Sequence, residues 1–248
     1  MTSAIYPSLK DKRVVVTGGA SGIGAGLVAA FARQESKVTF LDILEEEGQE
    51  LAASLADSPA PPVFRRCDLK DLDQVAQFFA SADPVDVLVN NAASDDRHTL
   101  DDVTPAYWED RIAVNLRHML FCAKGVAGGM RKHGGGVIVN FGSISWHLGL
   151  SDLVLYETAK AGIEGMTRAL ARELGPDGIR VVAVVPGNVQ TPRQQRWYTP
   201  EAEAEIVTSQ ALKGRIQPSD VASLVLFLAS DDARMFTGHP YWIDAGWR

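Results

Sequence analysis

Seven short apolar runs, at 13–17, 37–41, 63–67, 85–90, 137–141, 180–185 and 241–244, alternate with longer amphipathic stretches along the whole of this 248-residue chain. The runs are continuous in Val, Leu and Ile instead of alternating with polar residues, which is the pattern of strands covered on both faces. The stretches between them are long enough for crossover helices, and crossovers require parallel neighbours. The pattern predicts an α/β fold of the doubly wound Rossmann type: a seven-stranded parallel sheet flanked by helices, in a single domain over 1–248.

Hydrophobic residues make up 46% and charged residues 22% of the chain, an ordinary balance for a globular protein. No apolar run reaches the ~18 residues that span a bilayer, and the start Met1-Thr2-Ser3-Ala4-Ile5-Tyr6-Pro7 lacks a basic and then apolar leader. No membrane partner and a cytoplasmic location are therefore expected. The net charge of −7, with no offsetting basic stripe, disfavours nucleic acid as a partner. Cys67 and Cys122 are expected as buried free thiols. The five histidines have no metal-ligand spacing, so no metal is expected.

The first run leads directly into Thr17-Gly18-Gly19-Ala20-Ser21-Gly22-Ile23-Gly24. A turn this tight needs residues without a Cβ, and the helix that follows offers unpaired N–H groups and a positive dipole end to a pyrophosphate. Gly18, Ser21, Gly22, Ile23 and Gly24 are thus candidate cofactor contacts. Asp42 closes the second run, eighteen positions after Gly24, where a carboxylate can accept hydrogen bonds from the adenosine ribose. A 2′-phosphate would meet that carboxylate with no Arg or Lys at Ile43 or in the glycine loop to offset it, so NAD is expected over NADP.

Tyr156 and Lys160 stand four apart, on one face of a predicted helix over 155–174, thirteen residues after Ser143. An ammonium beside a phenol favours the phenolate and lowers its pKa, and a tyrosine so tuned can act as a general base. Ser143 ends the fifth run, at the edge where open α/β sheets carry reactive groups.

Taken together, the glycine loop, Asp42, Ser143 and Tyr156-Glu157-Thr158-Ala159-Lys160 resemble the short-chain dehydrogenase/reductase family. The resemblance implies a catalytic tetrad of Asn115, Ser143, Tyr156 and Lys160. Ser143 would hold the substrate oxygen and Tyr156 move the proton. Lys160 would bond the nicotinamide ribose, and Asn115 would hold a water that links Lys160 to solvent. Further cofactor contacts implied are Asp68 and Leu69 beside the adenine, then Asn90 and Ala92 in Asn90-Asn91-Ala92-Ala93, where the family usually has Gly at the position of Ala93. Pro186, Gly187, Val189 and Thr191 would meet the nicotinamide end, and the stretch 189–214 would form a lid over the substrate.

Outside these motifs the chain resembles one subgroup, the bacterial NAD-dependent aldopentose 1-dehydrogenases, in 115–122, 143–150, 156–176 and the closing Tyr241-Trp242-Ile243-Asp244-Ala245-Gly246-Trp247-Arg248. That implies oxidation of a D-xylose or L-arabinose type aldose at C1, giving the aldonolactone, in a homotetramer; Trp247-Arg248 is too aromatic for a loose tail, and within a tetramer such an end can lie against a neighbouring subunit, close enough to shape the sugar site. A sugar pocket needs a flat apolar wall and hydrogen-bonding groups. Trp146 and His147 are candidates for these, with Asn188; the alternative for Trp146 is a helix-packing aromatic, and for His147 a surface residue. Two rival functions remain. One is a 3-oxoacyl carrier-protein reductase, docking its carrier on Arg131, Lys132 and Arg172, or another short-chain alcohol dehydrogenase. The other is a catalytically idle nucleotide-sensing protein.

Overall fold

In a computed structural model that describes residues 4–195 and 198–248, the seven apolar runs form one sheet. Met1, Thr2 and Ser3, in the start expected to carry no leader, and Arg196 and Trp197, in the expected lid, lie outside the described residues. The strands are β1 (Arg13–Thr17), β2 (Lys37–Asp42), β3 (Val63–Arg66), β4 (Val87–Asn90), β5 (Gly136–Phe141), β6 (Ile179–Pro186) and β7 (Pro240–Ile243). All neighbours are parallel, in the order β3-β2-β1-β4-β5-β6-β7. The order reverses between β1 and β4, which opens a crevice at the carboxyl ends of those strands.

Alternate residues of β1, β2, β4, β5 and β6 enter two separate cores. Val14 and Val16, Val87 and Val89, Val137 and Val139, and Val182 and Val184 share one core with Leu27, Val28 and Phe31 of helix α1 (Gly22–Arg33). Val15, Leu88, Ile138 and Val181 point the other way, into the second core. Both faces being covered explains the unbroken apolar runs. Each fully buried Val or Leu contributes about 1.5–3 kcal/mol.

The remaining helices cover these faces and the carboxyl edge: α2 (Glu45–Ser54), α3 (Leu72–Ser81), α4 (Pro105–Ile112), α5 (His118–Lys132), α6 (Ser145–Leu148), α7 (Val154–Leu174), α8 (Pro192–Gln195), α9 (Pro200–Ser209) and α10 (Pro218–Ala229). Val221, Val225 and Leu226 of α10 join the first core, and Val75 of α3 with Cys122, Val126 and Met130 of α5 join the second. Between α4 and α5 the chain makes a π-helical turn, Ala113–Arg117, whose Asn115 is buried. Cys67 and Cys122 are both free and buried, and burial pushes the Cys122 thiol up to about 12.

One chain of buried polar groups crosses the layers. Asn90 Nδ2 of β4 donates to Asn140 Oδ1 of β5 at 2.9 Å, and Asn140 Nδ2 donates to Thr167 Oγ1 of α7 at 3.0 Å. It ties α7 to the middle of the sheet.

Candidate active site

A cleft of about 830 Å³ runs along the carboxyl edge, from Asp42 and Asp68 at the β2 and β3 end, past Ser143, Tyr156 and Lys160, to Asn188 and Trp247. At its first end the glycine loop is built by close approach. Gly18 has φ +64°, and a Cβ there would lie 2.7 Å from Ala92 Cα; a Cβ on Gly24 would lie 1.9 Å from the Gly18 carbonyl oxygen. Only glycine fits either position. The Ser21 side chain does not cap α1, so the first-turn N–H groups at Gly22, Ile23 and Gly24 face the cleft as donors for an anion. Donors of this kind fit the pyrophosphate of a dinucleotide.

Asn91, to which no role was assigned from sequence, fastens this loop. Its Nδ2 donates to the carbonyls of Thr17 and Gly18, at 3.0 and 2.9 Å, and its N–H donates to Thr17 Oγ1 at 3.0 Å. Asn90, expected at the cofactor, is instead fully buried beneath the cleft in the Asn140 chain. The two differ because adjacent strand-end side chains point to opposite sides. Ala92 lines the cleft.

Asp42 lies at the end of β2 with its carboxylate engaged on the protein side: Oδ2 accepts from Ala20 N at 2.9 Å and Oδ1 from Leu44 N at 3.1 Å. Arg66 is its register partner on β3, and the Arg66 Nε lies 3.6 Å from a Glu45 carboxylate oxygen. Asp68 accepts from Lys70 N at 2.9 Å, and Leu69 is buried beside it; both line the cleft.

Tyr156, Lys160 and Glu164 occupy successive turns of one face of α7. Lys160 is 2% exposed and donates to the Phe141 carbonyl at 2.8 Å, with Nζ 5.3 Å from the centre of the Tyr156 ring. Burial pushes this lysine down to about 7, with Asp95 pulling it back up. Burial also raises the Tyr156 phenol above its ordinary value, and Asp95 adds to that, while the Ser143 hydroxyl and the Arg193 charge act against it. The expected lowering of Tyr156 by Lys160 is therefore not realised in the protein by itself. Desolvation of the phenol is the largest cause. His118 lies beneath, pushed down to about 4 chiefly by burial, and its neutral ring donates from Nε2 to the Ala92 carbonyl at 3.2 Å.

Asn115 does not present its amide to Lys160. Its Oδ1 accepts from Ser94 N at 2.8 Å and its Nδ2 donates to Ser94 O at 3.0 Å, so the side chain holds the loop after β4. Trp146 and His147 are likewise absent from the cleft lining. Both turn to α7, where Trp146 Nε1 and His147 Nε2 meet Glu164 Oε1 at 3.0 and 2.8 Å. His147 packs between Trp146, tilted against it, and Trp242, edge-on, with ring centres 3.6 and 4.3 Å away. A half-buried carboxylate one turn beyond Lys160 accounts for this: it supplies the acceptor that both ring N–H groups need.

Pro186, Gly187, Asn188, Val189 and Thr191 line the other half of the cleft. Val189 bridges to Ile216, and Asn188 is held by Tyr198, whose hydroxyl lies 2.7 Å from Nδ2, and by Arg215, which donates to Oδ1 at 2.9 Å. Arg215 is in turn paired with Glu203 of α9. Within the stretch read as a lid, Arg193 of α8 reaches Asp95 at 3.0 Å and Asp96 at 2.8 Å. Arg111 meets the same Asp96 at 2.6 Å. These charges were missed; the run Asp95-Asp96-Arg97, following a strand end, was the signal available. Trp247 also lines the cleft. Among the described residues no group of His, Cys, Asp and Glu could hold a metal.

Residues 18–248 match the family model described as "Enoyl-(Acyl carrier protein) reductase". The chain is 71% identical over 248 residues to "D-xylose 1-dehydrogenase" of Caulobacter vibrioides, covering 100% of both proteins. It is 44% identical over 252 residues to "Probable galactose dehydrogenase GalD" of Rhizobium meliloti, covering 99% of this chain and 98% of that one. Among solved structures, a 7α-hydroxysteroid dehydrogenase complexed with NADH and 7-oxo glycochenodeoxycholic acid aligns with a TM-score of 0.93 at 26% identity, over 99% of this chain and 98% of its own. A glycine loop, a Ser-Tyr-Lys set in one cleft and these matches along nearly the whole chain lead to one conclusion: the protein is an oxidoreductase of the short-chain dehydrogenase/reductase family.

Proposed function

We propose that this protein oxidises an aldopentose of the D-xylose or L-arabinose type at its anomeric C1 hydroxyl, with NAD as acceptor, and releases the aldonolactone. The observation that carries the reading is the 71% identity to a D-xylose 1-dehydrogenase with no part of either chain left over. The 44% identity to a galactose dehydrogenase supports an aldose as the substrate class.

The cofactor would rest its pyrophosphate on Gly22, Ile23 and Gly24, its adenosine between Asp42 and Asp68, and its nicotinamide between Tyr156, Pro186, Val189 and Thr191. When bound, it supplies the hydride acceptor and a cationic ring that favours the phenolate. Ser143 orients the C1 hydroxyl, Tyr156 takes its proton, and Lys160 steadies the resulting charge. Positioned proton transfer of this kind contributes about 10²–10⁴-fold. Asp42 supports NAD over NADP because its carboxylate stands where a 2′-phosphate would come. Arg193, Asp95 and Asp96 support the reading of 189–214 as a lid fastened across the cleft. A carrier-protein reductase is less well supported, since Arg131 is already paired with Asp177 at 2.6 Å.

A homotetramer fits the exposed Trp108, Leu120, Phe121 and Val154 on α4, α5 and α7. The test of function is a panel of aldoses with NAD and with NADP, read at the nicotinamide absorbance. Turnover of D-xylose or L-arabinose with NAD is expected; turnover of 3-oxoacyl thioesters alone would overturn the sugar reading.

A further inference from the structure

The last residues of the chain are built with unusual care. Ala245 and Gly246 both adopt left-handed backbone, at φ 55° and 71°. Such a conformation is costly for a residue with a side chain and persists only where the surroundings enforce it. Asp244 enforces it. Its Oδ1 accepts from Gly246 N at 3.0 Å, its Oδ2 from Arg248 N at 3.2 Å, and its carbonyl from Trp247 N at 3.2 Å.

The turn is also fastened from outside. Ala211 and Leu212, just beyond α9, donate to the Ala245 carbonyl at 2.9 and 3.0 Å. The Arg248 guanidinium lies 4.7 Å from the centre of the Trp242 ring. A Cβ on Gly246 would stand 2.8 Å from Ala211 Cβ, so the approach is as close as it can be. Backbone strain held by this many bonds points to a use for the side chain it aims.

That side chain is Trp247, which is half-buried and lines the cleft. It follows β7, at the opposite end of the sheet from the β2 and β3 edge that carries Asp42 and Asp68. Asp244 itself packs against Gly187, beside Asn188. Trp247 therefore belongs to the substrate half of the cleft, with Ser143, Tyr156, Asn188, Tyr198 and Glu205 supplying hydroxyl, amide and carboxylate groups. Trp146, the aromatic expected from sequence to be the wall, is turned away.

We infer that Trp247 is the apolar wall against which the C–H face of the pyranose ring lies, and that the Asp244 turn exists to hold it there. This assignment rests on the aldose reading above. A large flat ring in a cleft that also carries these hydrogen-bonding groups suits a ligand with one apolar face and polar edges.

The test is steady-state kinetics of Trp247→Ala and Trp247→Phe with D-xylose and NAD, alongside the wild type and thermal melting of each. Trp247→Ala is expected to raise KM for D-xylose about tenfold, the loss of one aromatic contact, and leave KM for NAD within about twofold. Trp247→Phe should recover most of the loss at an unchanged melting temperature. If wild type oxidises D-xylose and Trp247→Ala keeps its sugar KM, or raises both KM values alike, the wall is elsewhere and the aldose reading stands. If wild type oxidises no aldose, both fall.

Discussion

Lys160 Nζ sits 5.3 Å from the centre of the Tyr156 ring while giving its hydrogen bond to the Phe141 carbonyl at 2.8 Å. The carbonyl at the end of β5 thus fixes the lysine at one distance from the phenol. Tyr156 remains the group placed to take a proton, and Tyr156→Phe is expected to lower kcat at least ~10²-fold with NAD affinity little changed. Rapid kinetics and a cofactor titration check the two halves; near-normal turnover would remove Tyr156 from that role.

Burial of Lys160 also makes stability depend on pH. Its folded value, about 7, lies below its ordinary 10.5, so between them the unfolded chain binds a proton that the folded chain does not. The stabilising effect is present above 10.5 and is lost as pH falls through 7. Without cofactor, the protein should gain stability as pH rises through this window, by at most about 1.4 kcal/mol per unit from this group. Denaturant melts of wild type and Lys160→Met compared across the window isolate the effect, and equal slopes would refute it.

Asp42 has two duties, and its removal should separate them. Asp42→Ala is expected to weaken NAD binding and raise the use of NADP relative to NAD, with Arg66 in register beside the vacated position. It should also cost about 1–3 kcal/mol of stability, because Ala20 N and Leu44 N lose their acceptor. Cofactor preference ratios and urea melts measure the two; an unchanged ratio would place selectivity elsewhere.

Glu164 supplies the acceptor for two half-buried ring N–H groups, and Glu164→Leu leaves Trp146 Nε1 and His147 Nε2 without it. A loss of about 1–3 kcal/mol is expected, with Glu164→Gln recovering part. Urea melts of the two variants decide; a leucine variant as stable as wild type would mean that the rings find other partners.

The sheet was legible because strands covered on both faces, such as β4, β5 and β6, write their burial directly as apolar runs, and all seven runs became strands with ends shifted by at most two residues. The glycine loop and the Tyr156–Lys160 pair were legible because close approach and helical spacing are local properties. The partners of polar side chains were not. Asn90 and Asn91 are neighbours of one type, yet one serves the interior and the other the loop, according to which face of the strand each meets. Nothing near Trp146 in the chain announces Glu164, eighteen residues on, as its acceptor. The raising of the Tyr156 phenol in the protein by itself was not legible for the same reason, since desolvation depends on everything packed around the phenol.

The polar chain from Asn90 through Asn140 to Thr167 divides the labour of adaptation. A helix seated only by apolar contacts can roll or slide by a fraction of a turn when its neighbours change. One bolted to the sheet by directional bonds cannot do so without orphaning a buried amide. Tyr156 and Lys160 ride on the bolted helix, whereas Asn188, Tyr198 and Trp247 stand on segments fastened chiefly to one another. The substrate half can therefore be rebuilt for a different sugar while the proton-transfer geometry stays in register, and randomising those three positions is the economical way to move this scaffold among aldoses.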